Sequence, residues 1–139
     1  MATADRKSFW AWCMESEEPT DTERAEFARH LSERFGTSVT AKPVPKVEDA
    51  ELRAPRIQPP DPVSQWCSTS TYDRASYTYG AQFTERIRAF NLDFPNPPDV
   101  VAHPRTEDEI VATLDWCDRT DTSLSLTGVG LQSFGAWPL

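Results

Sequence analysis

Apolar positions along the chain fall into a few periodic blocks separated by polar or proline-rich stretches. Residues 7–18 set Phe9, Trp10 and Trp12 beside the acids Glu15, Glu17 and Glu18. That pairing reads as an aromatic patch docked on the rest of the protein, since aromatics bury large areas and are seldom left in water. Phe27, Leu31 and Phe35 then recur at i, i+4, i+8 with Ala28 on the same face, and Thr20 with Glu23 makes a capping box. Gly36 supplies the stop, so residues 20–35 are predicted helix. Between residues 37 and 62 six of the twelve prolines hold the chain extended, as a strap lying across a surface. Residues 66–79, rich in Ser, Thr and Tyr, carry a weak local signal. Phe83, Ile87 and Phe90 at i, i+4, i+7 predict an amphipathic helix over 81–91, ended by Pro95, Pro97 and Pro98.

The last third is the best patterned. Val100 and Val101 sit in a β-prone run, 99–103, stopped by Pro104, and Thr106 with Glu109 opens a second capped helix over 106–119. Ile110, Val111, Leu114 and Cys117 share one of its faces, and residues 122–126 alternate polar and apolar as a strand does. Strand, helix and strand within about 30 residues predict a right-handed βαβ unit. Its two strands, 99–103 and 122–126, are expected to be parallel neighbours with Ile110, Val111 and Leu114 packed on them. One such unit cannot cover both faces of its sheet, so further strands are expected from a continuation. The chain thus reads as α/β (α+β), an incomplete domain in four parts: an aromatic N-terminus and helix (1–36), the strap (37–65), a helical lead-in (66–98) and the start of a larger domain (99–139).

Composition narrows the classes. Twenty-two acids against fourteen bases leave a formal charge of −8, which argues against nucleic acid as a partner, because phosphate contacts need clustered Lys and Arg. No apolar run approaches the roughly 18 residues of a membrane span, and the charged N-terminus is unlike a signal peptide, so the chain reads as cytoplasmic. Cys13, Cys67 and Cys117 lie far apart, in odd number and without metal spacing, and read as reduced thiols. No metal site is expected. His30 falls on the polar side of its helix, whereas His103, at a strand end, is better placed to approach a ligand.

Candidate chemistry gathers after residue 126. In α/β sheets ligands bind beyond the carboxyl ends of strands, where a glycine turn lets backbone N–H groups approach phosphate oxygens. Gly128, Gly130 and Gly135 follow the predicted strand within nine residues, a pattern that also suits an ordinary turn.

The order Pro97-Pro98-Asp99-Val100-Val101-Ala102-His103-Pro104-Arg105-Thr106-Glu107-Asp108-Glu109-Ile110, then helix, strand and glycine turn, resembles the opening of the FAD-binding domain of the vanillyl-alcohol oxidase and p-cresol methylhydroxylase family. The Trp10-Ala11-Trp12 start, the amphipathic helix, Ala54-Pro55-Arg56-Ile57, Arg74-Ala75 and Tyr79-Gly80 make it similar to the alkyldihydroxyacetonephosphate synthase branch and its bacterial FAD-linked oxidase relatives. The resemblance implies FAD as cofactor, Gly128 and Gly130 near its pyrophosphate, and a parent enzyme acting on a small-molecule substrate. The implied chemistry is flavin-linked oxidation of a small hydroxylated compound or ether formation on an acyl-dihydroxyacetone phosphate. Arg74, Tyr77 and Tyr79 would brace such a domain. The pattern departs at Val129, Leu131 and Gln132, where the family has Gly, Thr and Ser, and no residue of the chain is implied as catalytic. That departure fits a frame shift or early stop in a longer gene, and the chain alone is expected to bind FAD weakly or not at all, without turnover. The competing reading is a small non-enzymatic protein binding a partner through its aromatic N-terminus and proline-rich strap.

Overall fold

A computed structural model describes residues Asp5–Thr127. Among them are four α-helices and one two-stranded antiparallel sheet, a small mixed α/β arrangement. Helix α1, Asp21–Phe35, begins where expected: Thr20 Oγ1 accepts from the Glu23 N–H (3.3 Å) while the Glu23 carboxylate accepts from the Thr20 N–H (2.9 Å). It ends at Gly36, whose φ of 62° suits a residue without Cβ. Only Ala28 of α1 is buried, so the helix lies on the surface. Ser32 Oγ donates to the Ala28 carbonyl (2.8 Å) and accepts from the Val39 N–H (2.9 Å), fixing the start of the strap to the helix.

The main core forms around Phe9, Val47, Ala50, Ala75, Ala89 and Phe94, with Trp10, Leu52, Tyr72, Tyr79 and Leu92 packed against it. Phe9 reaches it from a tight N-terminal loop closed by the Ser8 N–H on the Cys13 carbonyl (2.9 Å). The aromatic patch expected of the N-terminus is therefore docked: Trp10 meets Phe90 edge-on at 4.9 Å, and Trp12 stacks on Phe83 at 6.2 Å. The strap does more than cross a surface, because it contributes Val47 and Ala50 to this core. Helix α2, Thr71–Ser76, is capped by Ser70, whose Oγ accepts from the Asp73 N–H (3.1 Å). Helix α3, Phe83–Phe90, starts with its apolar repeat rather than at the predicted 81 because Gln82 is its cap, its N–H donating to the Glu85 carboxylate (3.1 Å).

A second cluster unites Val63, Trp116 and Cys117 with Ile57, Trp66, Cys67, Val100 and Ala112. It joins the 3₁₀ turn Val63–Trp66 to helix α4, Glu107–Arg119, and the Trp66 indole N–H donates to Thr113 Oγ1 (2.9 Å) across that junction. Strand β1, Cys67–Ser68, leads straight on from the turn and pairs with β2, Val101–Ala102.

The expected βαβ unit is not formed among the described residues. β2 is antiparallel to β1, with Cys67 opposite Ala102 and Ser68 opposite Val101, and residues 122–126 are not in a strand. The helix between them exists as expected, capped by Thr106, but its covered face is Thr113, Trp116 and Cys117. Ile110, Val111 and Leu114, expected on the sheet, are 45%, 49% and 45% exposed. The reason is nonlocal. Docking of Trp66 on Thr113 delivers β1 to the edge of β2 and sets the rotation of α4, and neither event leaves a mark in the local pattern.

Candidate functional site

The residue after β2 is His103, whose N–H continues the ladder by donating to the Trp66 carbonyl (2.8 Å). Its Nε2 lies 3.4 Å from Asp73 Oδ1, and its ring meets Tyr77 edge-on at 5.7 Å. Asp73 belongs to the first turn of α2, so the cap that starts this helix also aims the carboxylate. Ser70 Oγ donates to Asp73 Oδ2 (2.9 Å), and Ser68, on β1, donates to Ser70 Oγ (3.2 Å). A half-exposed imidazole beside a carboxylate that is backed by two hydroxyls thus sits beyond the carboxyl end of β2. Such a pair can give or take a proton or hydrogen-bond a polar ligand.

The opposite end of β2 is fixed by a clamp of three arginines and one aspartate. Asp99 accepts from the Arg53 guanidinium, from Arg56 Nε and Nη2 (3.1 and 2.8 Å) and from the Arg56 backbone N–H (2.9 Å). Its side chain is only 12% exposed. Burial alone would push the carboxyl up, but the hydrogen bonds from Arg53 and Arg56 hold it well below the usual carboxylate range. Arg74, buried, donates Nε to the Pro98 carbonyl (2.7 Å) and Nη2 to the Arg53 carbonyl (2.6 Å). Burial and the neighbouring Arg53 push its guanidinium pKa down, yet an arginine keeps its charge. The clamp ties the strap, α2 and the Pro97-Pro98-Asp99 lead-in together.

Gly128 and Gly130, the residues expected against a pyrophosphate, lie outside the described residues. Residues 122–126 pair with no strand among the described residues. His30 is exposed on α1, and Cys117 is buried as a small hydrophobe. Burial pushes the Cys67 and Cys117 thiols up. Tyr79 donates its hydroxyl to the Asp93 carbonyl and stacks on Phe94, a packing role. Among the described residues no group of three His, Cys, Asp or Glu side chains is placed to hold a metal.

Sequence reasoning missed Asp73, Ser70, Arg53 and Arg56. A signal for the first two was present, since Ser70 and Asp73 have the spacing of an N-cap and its third helical residue. The arginines had none, because their partner lies 43 to 46 residues away. No protein-family profile, no curated protein and no solved structure matches the chain, so its function is argued from these residues.

Proposed function

We propose that residues 97–127 belong to the opening of an FAD-binding α/β domain of the vanillyl-alcohol oxidase and p-cresol methylhydroxylase type, in a flavoenzyme of the FAD-linked oxidase or alkyldihydroxyacetonephosphate synthase kind. One observation carries this reading: α4 has more apolar surface than its present neighbours cover. At about 100° per residue, Thr113, Cys117, Ile110 and Leu114 form one uninterrupted stripe about 100° wide, bounded by Glu109 and Glu107. Its Thr113 and Cys117 side is buried together with Trp116, and its Ile110 and Leu114 side is open. A helix whose apolar stripe is covered on one side only has room for a further layer, as helices have on the sheet of an α/β domain. Leu124 and Leu126, exposed after the α4 turn, supply the alternation with which 122–126 would join such a sheet.

In this reading the flavin supplies the redox chemistry of the whole enzyme, and Gly128 and Gly130 serve its pyrophosphate. The competing interaction-protein reading finds part of its surface already in use, although Trp12 stays exposed. Phe9 is buried in the core, and Arg53 and Arg56 bind the strap down onto Asp99. The test is the nucleotide sequence following codon 126, translated in all three frames. The reading expects one frame to continue into a Gly- and Ser/Thr-rich loop and further strands with alternating apolar residues. Unrelated sequence in every frame would remove it.

A further inference from the structure

The molecule's other uncovered apolar surface lies on α1, away from the flavin-domain region, and the inference drawn from it is independent of that reading. Phe27 and Phe35, two turns apart, are 63% and 66% exposed. Beside them runs an open groove of about 620 Å³ walled by Trp10, Phe27, Ala28, Leu31, Val39 and Phe90. Solvent-facing phenylalanines of this kind, grouped beside a groove, mark an interaction surface rather than ordinary surface scatter.

We propose that α1 pairs antiparallel with α1 of a second copy of this chain, across a two-fold axis at Leu31. Symmetry then places Phe27 of each copy against Phe35 of the other, and Phe35 of the second copy enters the groove beside Phe27, Leu31 and Phe90.

Two features of α1 fit this occupant. The first is spacing, since residues 27, 31 and 35 are evenly spaced about Leu31, as an isologous contact requires. The second is charge. Asp21 with Arg24, and Arg29 with Glu33, pair within the helix, which leaves Glu23 on the groove wall and Arg34 in the last turn as the charges flanking the phenylalanine face. Antiparallel pairing brings the Arg34 end of one helix toward the Glu23 end of the other and opposes the helix dipoles favourably.

Area sets the strength. Two phenyl groups about two-thirds exposed contribute roughly 260 Å² per copy before the groove walls are counted, against roughly 800 Å² per partner in a stable interface. The dimer is therefore weak, with a dissociation constant on the order of tens to hundreds of micromolar. Sedimentation of the purified chain across about 5 to 500 µM reads this directly. The expected result is a concentration-dependent rise from monomer toward dimer mass, weakened by salt. Phe35→Asp and, separately, Phe27→Asp should each hold the chain monomeric at every concentration, with unchanged far-UV circular dichroism and melting, because both side chains are exposed. In Leu31→Cys, oxidation should yield a dimer whose mapped cross-link joins residue 31 to residue 31. A chain monomeric throughout, a dimer that survives both Phe substitutions, or a Leu31→Cys product linked elsewhere would each overturn the proposal.

Discussion

Replacing Asp99 by Asn keeps the shape of the side chain and removes the charge on which the arginine clamp closes. Four donors converge on it: the Arg53 guanidinium, two nitrogens of the Arg56 guanidinium and the Arg56 backbone N–H. Hydrogen bonds to charged groups contribute about 1.5–3 kcal/mol each, and removing one partner of a fully buried ion pair costs about 3–5 kcal/mol. Arg56 is 72% exposed and recovers most of its hydration, so the loss falls mainly on Arg53 and the backbone donor. Asp99→Asn should then cost about 2–3 kcal/mol, read as a lower urea midpoint at unchanged slope. Arg56→Ala should move the midpoint far less, and the double variant should add little to Asp99→Asn. The sign with pH follows from the depressed folded-state pKa of Asp99. Its contribution is complete above the unfolded value of about 3.9 and is lost as pH falls through the folded value. The gap between wild type and Asp99→Asn should accordingly be constant from about pH 5 to 8 and shrink below about pH 4. A cost under about 0.5 kcal/mol, or a gap that persists unchanged into acid, would refute the reasoning.

Asp121 stands at φ 50° after α4, with the Thr122 N–H on the Cys117 carbonyl (2.9 Å), a left-handed cap that glycine adopts without strain. Asp121→Gly should raise the urea midpoint by about 0.5–1 kcal/mol. Trp66→Phe deletes the donor to Thr113 Oγ1 at the β1–α4 junction and should cost about 1 kcal/mol or more, with a matching loss of near-UV circular dichroism. Ile110→Glu and Leu114→Glu, on the open side of α4, should change stability of this chain by less than about 0.5 kcal/mol in the same melts.

Local rules carried the helices. Thr20 with Glu23, and Gly36, do in the fold what their spacing announced, because a cap involves residues three or four apart; of the second expected capping box Thr106 makes its half, while the Glu109 carboxylate accepts from the Arg105 N–H instead. The ends of α3 and α4 fall at or within a residue of the predicted 91 and 119, although the left-handed residues that follow them are Leu92 and Asp121 rather than glycine. The strand pairing was illegible for a different reason. β2 had a plausible partner at 122–126 and an actual one at Cys67–Ser68, and the choice is made by Trp66 seating on α4, a contact 47 residues apart. The same holds for the site. His103 was legible as a strand-end histidine, whereas its Asp73 partner exists only once α2 is placed beside β2.

The central claim, an FAD domain built onto α4, is tested most directly by flavin stoichiometry. Residues 1–126 should be expressed joined to whichever downstream frame carries the Gly- and Ser/Thr-rich loop that the proposal expects, and the purified product examined for visible flavin absorbance after excess FAD is removed. The account predicts about one FAD per chain and a raised melting temperature, since a ligand held only by the native state stabilises it. It further predicts loss of both in Ile110→Glu, which leaves the shorter chain intact. A folded, monodisperse product that retains no flavin would contradict the account.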